Sequence, residues 1–283
     1  MKIGISGASG QLGQAVVAEL LQRSGGHHIV GISRTPERVP NSSAEGRHGD
    51  FDAPETLISA YRGLDRLLLI PSAELRPGVR GRQLKDAIDA ALAAGVKHLF
   101  LVSAAGTRQT AQPHLREAYW SAEQHLIRTA PVWTILRMNY YAEAMAQEIQ
   151  MSLGMGMLTG LGDERVAYVS RDDLAAAAAG SLLSEGHEGA IYNGTGPAVL
   201  SGAERAAIAS DILSKTLGYA VISEEQLRSG LSQAGLPEPI IEALVEIKTN
   251  FVRGDFDILT SDVERLSGRP PKSLRDVLAT ALS

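Results

Sequence analysis

Near the start of the chain, Gly7-Ala8-Ser9-Gly10-Gln11-Leu12-Gly13 sets three glycines at three-residue spacing. The segment follows an apolar run, Ile3–Ser6, and runs into a helix-length stretch, Gln11–Arg23. A strand, a glycine turn and a helix in that order open a βα unit. Gly7 allows the tight turn, Gly10 lets backbone N–H groups approach a pyrophosphate, and Gly13 lets the helix pack closely on the strand. The helix N-terminus then faces the negative charge. Gly7, Ser9, Gly10, Gln11 and Leu12 are therefore the candidate cradle for a dinucleotide. Packing glycines in a plain βα turn would give the same spacing, and it is the flanking strand and helix that favour binding.

The rest of the first half repeats the rhythm. Ile29–Ser33, Leu67–Ile70, His98–Ser103 and Val132–Leu136 are short and rich in branched aliphatic residues, as parallel strands buried on both faces should be. Pro54–Tyr61, Gly81–Ala94 with Gly95 as its stop, and Ala118–Thr129 have helix length. Strand–helix alternation predicts an α/β fold with a doubly wound parallel sheet, a Rossmann domain over residues 1–136.

After Arg137 the pattern becomes mostly helical, which predicts a smaller C-terminal substrate or lid domain over 137–283, with about 163–193 returning to the first. Tyr140–Met151 reads as a helix, Gly154–Gly160 as a glycine-punctuated loop or short hairpin, and Ala190–Asn193 as a short strand. Arg171–Leu183, with its five alanines, reads as a close-packed helix. Met145, Met151, Met155 and Met157 read better as gap-filling core than as a pocket for flat apolar ligands.

Composition removes several functions. There are 27 Lys+Arg against 32 Asp+Glu and no basic tract, which argues against nucleic acid as a partner. With no cysteine, there is no disulfide, no thiolate nucleophile and no Cys-ligated metal. His114 and His125 lack ligand-spaced neighbours, so no metal is expected. No run of 18 apolar residues and no signal-like segment occurs, so a cytoplasmic protein without a membrane partner is expected.

The end of the second strand selects the dinucleotide. An NAD-binding fold places an Asp or Glu about 20 residues after the loop to hold the ribose diol. Here the strand ends in Arg34, and no carboxylate comes before Glu37. A guanidinium suits bidentate recognition of a 2′-phosphate, so the cofactor expected is NADP(H), with Arg38 the competing basic side chain.

The glycine loop, Arg34, His48-Gly-Asp-Phe51, Val96–Ser103, Leu136–Tyr141, Val169–Leu174 and Tyr192–Gly196 together resemble the NmrA-like atypical short-chain dehydrogenases. Within that group the chain is most similar to type 2 NAD(P)H:quinone oxidoreductases and triphenylmethane reductases. The resemblance spans essentially the whole length and implies further cofactor contacts. Asp50 and Phe51 would lie at the adenine, Ile70, Pro71 and Ser72 along the cofactor's middle, and Ser103 and Ala104 at the nicotinamide ribose. Asp50 also reads as a cap for the helix starting near Pro54.

Ordinary short-chain dehydrogenases carry Tyr-x-x-x-Lys on one helical face, whereas this chain has Tyr119-Trp-Ser-Ala-Glu123. A carboxylate one turn from a phenol disfavours the phenolate, so the usual proton relay is absent. Relatives often carry His where Tyr119 stands, which leaves Tyr119 and Asn139 as candidate catalytic groups without an assigned donor. Glu123 reads as a positioner of the nicotinamide ribose or as part of a helix-face network. Asn139, Tyr140 and Tyr141, following the sixth strand, are the candidate substrate residues.

A quinone's reduced oxygens can take protons from water, whereas a ketone needs an acid more urgently. The expectation is an NADPH-dependent oxidoreductase passing hydride to a quinone-like or other conjugated small molecule. The alternatives are a non-catalytic NADP(H)-binding redox sensor and a reductase of a specific ketone or enone. A homodimer is a candidate assembly.

Overall fold

The structure, a computed structural model, describes residues 1–23, 25–39, 44–109 and 115–282. The described strands are β1 Lys2–Ser6, β2 His28–Ser33, β3 Glu45–His48, β4 Arg66–Leu69, β5 His98–Ala104, β6 Trp133–Met138, β7 Met157–Gly160, β8 Ala190–Gly194 and β9 Gly218–Val221. The described helices are α1 Gln11–Arg23, α2 Glu55–Tyr61, α3 Val79–Ala93, α4 Leu115–Thr129, α5 Ala142–Ser152 and α6 Arg171–Leu183. They continue with α7 Gly202–Leu213, α8 Glu224–Gln233, α9 Glu238–Val252, α10 Asp262–Ser267 and α11 Leu274–Ala281.

The chain divides into two units. The first comprises Met1–Met138, Arg171–Tyr192 and Asp262–Arg269, and the second Asn139–Ser170, Asn193–Ser261 and Pro270–Ser283. The first boundary thus lies at Met138 rather than at 136, and the returning stretch begins at Arg171 rather than near 163. A second return, Asp262–Arg269, has no counterpart in the sequence reading. Packing explains both returns, since α6 lies against α1 and α10 against α6. The run Ala175–Ala179 is fully buried, and its small side chains permit that close stacking.

The fold is Rossmann-like, a seven-stranded parallel sheet in the order β3-β2-β1-β4-β5-β6-β8 with flanking helices. β1 therefore has β2 on one side and β4 on the other, which is the switch point where such sheets bind ligands beyond their carboxyl ends. β1 buries Ile3 and Ile5 completely, β4 buries all three of its leucines, and α1 turns Leu12, Val16, Val17 and Leu20 inward at helical period. Edge strand β3, Glu-Gly-Arg-His, has no apolar run to announce it. The Arg47 hydrogen bond and the contacts from His28 and Lys2 hold the Glu45 carboxyl down to about 2, against its partial burial.

At the amino end of the sheet, Arg66 is buried on β4 and donates to the carbonyls of Leu182 (2.8 Å) and Ser184 (2.5 Å) and to Glu185 (2.5 Å). It satisfies carbonyls that the C-terminus of α6 leaves open. Beside it, His98 stacks on Phe100 with ring centroids 4.1 Å apart and lies 2.8 Å from the Thr134 hydroxyl. Because that hydroxyl donates to the His187 carbonyl at 2.6 Å, His98 Nε2–H is the donor to Thr134. Burial, reinforced by the Arg66 charge and opposed by Glu188 and Glu185, pulls the His98 imidazole down to about 4.

An unfolded histidine titrates near 6.5, so the native state resists a proton that the unfolded chain accepts. The His98 contribution to stability is complete above about pH 6.5 and is lost progressively as pH falls towards 4. His187 is lowered too, again chiefly by burial, and acts in the same sense. The thermal midpoint is expected to drop across that interval, and His98→Asn should flatten the drop. An unchanged slope in the variant would show that His98 does not set the pH dependence.

In the second unit, β7 pairs in parallel with β9, Met157 opposite Gly218 through Gly160 opposite Val221. The loop or short hairpin expected over Gly154–Gly160 is thus corrected. A one-turn 3-10 segment, Leu153–Met155, leads into a strand whose partner lies about sixty residues on. Parallel pairing cannot be closed by a tight turn. Of the four methionines, only Met145 is core, at 1% exposure, while Met151 and Met155 are 62% and 68% exposed. Within this unit Arg205 and Glu164 form a buried pair at 2.8 Å, with Tyr168 donated to by Arg205 at 2.6 Å.

Candidate functional site

The glycine turn is built as its spacing requires. Gly7 has φ +89, a left-handed conformation that favours glycine, and its N–H and that of Ala8 both donate to the Ile32 carbonyl, at 3.0 and 3.1 Å. Gly10 N–H closes the turn onto Gly7 O at 3.1 Å. A Cβ on Gly13 would sit 2.2 Å from Gly7 O and 2.8 Å from Ala8 Cα, so only glycine lets α1 approach the turn this closely. A Cβ on Gly10 would meet nothing nearer than Gly7 O at 3.4 Å, which leaves open space over the turn. Gln11 and Leu12 head α1, whose first turn has no acidic residue, so their amides face that space unopposed by a carboxylate.

The carboxyl end of β2 sits beside the turn. Ser33 Oγ donates to Ser9 Oγ at 2.7 Å and accepts from Thr35 N–H at 3.0 Å. The next side chain, Arg34, is exposed, and among the described residues it has no hydrogen-bond or ion-pair partner. Arg38 is exposed too, at the end of the 3-10 turn Pro36–Arg38.

Past β3, Asp50 closes a local turn by accepting from Asp52 N–H at 3.0 Å, while its own N–H donates to Thr56 Oγ1 at 3.0 Å. Pro54 stands at the N-cap of α2 without a side-chain cap, so Asp50 is not the helix cap weighed above. Asp52 accepts from Gln83 Nε2 at 2.8 Å, and Gln83 Oε1 accepts from Ser72 at 2.6 Å. This chain fastens the Asp50 turn to the segment after β4. Sequence reasoning missed Asp52 and the buried Gln83, because the link joins positions 31 residues apart. Phe51 packs at the margin of the core, and Ile70 backs the glycine turn at 3.2 Å from where a Gly7 Cβ would stand. Pro71, next after Ile70, is partly buried.

Near the end of β5, Ser103 is wholly buried, and among the described residues its Oγ has no hydrogen-bond partner. An orphaned hydroxyl at a strand end is a place for a ligand hydroxyl to bond. Ala104 O accepts from Thr107 Oγ1 at 2.6 Å, which fixes the turn that follows.

On α4 the two side chains one turn apart go to different cations. Glu123 is fully buried and gives both carboxylate oxygens to Arg137 of β6, at 2.9 and 2.6 Å. The same bonds raise the Arg137 guanidinium above its ordinary value. Both oxygens accept from Arg137, so Glu123 is not an unbalanced charge beside Tyr119. The buried Tyr119 instead accepts from Arg80 Nη1 of α3 at 3.3 Å.

The three residues after β6 are differently placed from one another. Asn139 is 2% exposed, donates to Phe256 O at 3.1 Å and accepts from Tyr140 N–H at 2.7 Å. These two bonds make Asn139 a brace between backbone segments. Tyr140 meets Phe251 edge-on at 5.1 Å and Tyr168 at 6.1 Å, and burial pushes its phenol well up. Its ring packs in an aromatic cluster while the residue stays half-buried. Tyr141 is the N-cap of α5, with extended backbone.

His125 pairs with Asp89 at 2.6 Å, and His114 lies outside the described residues. Among the described residues no group of three His, Cys, Asp or Glu could hold a metal, and no helix is long and apolar enough to cross a membrane.

Residues 7–185 match the model of a family described as NAD(P)H-binding. The chain is 31% identical to quinone oxidoreductase 2 of Escherichia coli K12 over 278 residues, 97% of this chain and 96% of that one. The crystal structure of the NADPH-dependent quinone oxidoreductase QOR2 of Escherichia coli, complexed with NADPH, superposes with TM-score 0.92 at 29% identity, covering 99% of this chain and 100% of that one. Triphenylmethane reductase of Citrobacter sp. superposes with TM-score 0.91, also at 29% identity, covering 100% of this chain and 99% of that one. The chain belongs to this NAD(P)H-binding family and is an NAD(P)H-dependent oxidoreductase with quinone reductase-like homologues.

Proposed function

We propose that the chain passes hydride from NADPH to a quinone-like or other conjugated electrophilic small molecule. The observation that carries the acceptor class is on α4. No lysine follows Tyr119 by one turn, and Glu123 there is locked to Arg137, so the phenol has no lysine-linked relay behind it. An acceptor whose reduced oxygen takes its proton from water suits such a site. The Escherichia coli relative, named as a quinone oxidoreductase, supports the same class.

The first unit holds the cofactor through groups already described. The turn amides and the N-terminus of α1 take the pyrophosphate, Arg34 takes the 2′-phosphate, the Asp50–Phe51 segment borders the adenine, and Ser103 Oγ bonds a ribose hydroxyl. The bound nicotinamide supplies the hydride, and the chain supplies binding, orientation and electrostatics.

Mixing NADPH-saturated protein with quinones, enones and aldehydes, and following loss of the reduced-nicotinamide absorbance, tests the reading. Fast oxidation with quinones is expected. If no acceptor oxidises NADPH, the protein is a cofactor-binding sensor instead. Tyr119→Phe should slow quinone reduction less than about tenfold, well short of the 10²–10⁴-fold loss of an essential general acid. A loss of about three orders of magnitude would favour a ketone reductase with Tyr119 as donor.

A further inference from the structure

Arg80 is buried, at 8% exposure, yet its only hydrogen bond among the described residues is the 3.3 Å contact to Tyr119 OH, and its Nε has no partner at all. Its guanidinium also lies over the Tyr119 ring, 5.5 Å from the centroid. Arg66, Arg137 and Arg205 each meet a carboxylate, Glu185, Glu123 and Glu164. Among the described residues Arg80 meets none, and a buried cation without an anion is strongly disfavoured. The helix beneath it adds to the imbalance. The first turn of α3 has no acidic residue, carries Arg80 and Arg82, and its N-cap, Gly78, offers no side-chain bond. Positive charge at a helix N-terminus opposes the dipole, and the carboxylates nearby are bound elsewhere, Asp52 by Gln83 and Glu74 by Arg76.

Topology says which negative group. Arg34 ends β2, the glycine turn follows β1, Arg80 follows β4, and Tyr119 follows β5. β2, β1, β4 and β5 are consecutive in the sheet, so β2 and β5 stand about 14 Å apart at ordinary strand spacing. With the 2′-phosphate at β2 and the pyrophosphate at β1, the reacting end of the dinucleotide falls on the β4–β5 side. We propose that Arg80, braced by Tyr119, receives the negative charge that hydride transfer leaves on the acceptor's carbonyl oxygen. This rests on the proposed function.

In the step, the C–H bond at the reduced nicotinamide breaks and its electron pair and hydrogen bond to the acceptor. The acceptor's π electrons move onto its oxygen, which becomes an oxyanion facing the guanidinium. Arg80 and Tyr119 keep their protons, and water later supplies the proton that completes the reduced product. A fixed cation aimed at developing charge in a water-poor site is among the stronger electrostatic contributions an enzyme can make.

The test uses 4-nitrophenol, a flat oxyanion whose colour reports its protonation state, titrated into NADP⁺-saturated and cofactor-free protein. The wild type should bind the phenolate and hold it as phenolate below the pH at which the free probe protonates. Arg80→Gln should weaken phenolate binding about 10–150-fold, the range of a charge-assisted hydrogen bond, and Arg80→Lys should retain part of it. With a quinone, Arg80→Gln should lower kcat with little change in KM.

Since the change removes an unpaired buried charge, the thermal midpoint should not fall. Binding of only neutral nitrophenol by the wild type, or equal phenolate binding by Arg80→Gln, would overturn the proposal. Failure to bind NADP⁺ would sink the proposed function, while the cofactor-free titration would still decide the role of Arg80.

Discussion

Gly13→Ala is expected to weaken NADPH binding and, through a displacement near ~1 Å at a positioned site, to cut turnover by about 100-fold. The added methyl would stand 2.2 Å from Gly7 O and 2.8 Å from Ala8 Cα, and both neighbours are backbone. Neither can rotate away, so α1 or the turn must shift, and with it the amides that face the phosphates. Overpacking of this kind also destabilises by about 1–3 kcal/mol, so the thermal midpoint should fall as well. Gly10→Ala separates the two effects. Its methyl meets Gly7 O at a tolerable 3.4 Å, so the free protein should melt like the wild type and lose affinity only where the pyrophosphate needs close approach. Wild-type affinity in Gly13→Ala would remove the glycine turn from the cofactor site.

Arg34→Ala should weaken NADPH by roughly 10–150-fold and leave NADH nearly unchanged. A charge-assisted hydrogen bond is worth about 1.5–3 kcal/mol, and NADH has no 2′-phosphate to accept one. The exposed guanidinium has no protein partner among the described residues, so removing it breaks no internal pair and stability should stay constant. Titration of both cofactors against both proteins checks this. If the wild type binds NADH as tightly as NADPH, or the variant loses both alike, Arg34 does not read the phosphate. In the latter case Arg38, one 3-10 turn on, becomes the residue to change.

What the sequence discloses is mostly local. The strand–turn–helix opening is legible because a glycine at φ +89 and one in backbone contact leave their mark on consecutive residues. Buried strands such as β4 and β5 are legible as apolar runs. Strand β3 is not, because an edge strand of Glu-Gly-Arg-His is held by neighbours and ion pairs rather than by burial. The β7–β9 pairing and the Asp262–Arg269 return are also hidden, since each depends on packing against distant chain.

The site divides in the same way. Reading Tyr119 and Glu123 as one helical face is correct helix geometry, but it looks for the balancing charges in the wrong place. Arg137 arrives from β6 to neutralise Glu123, and Arg80 arrives from α3, 39 residues before Tyr119. Asn139 and Tyr140 follow the sixth strand, where the sequence leads one to look, but their contacts with Phe256 and Phe251 lie more than a hundred residues on and leave no local mark.

A single-turnover experiment separates hydride transfer by this chain from cofactor binding alone. Protein saturated with NADPH, or with NADPH deuterated at the transferred position, is mixed with excess quinone. One acceptor should be reduced for each NADPH bound, more slowly with the deuterated cofactor. NADPH that binds tightly and stays reduced before every quinone, enone and aldehyde would contradict it.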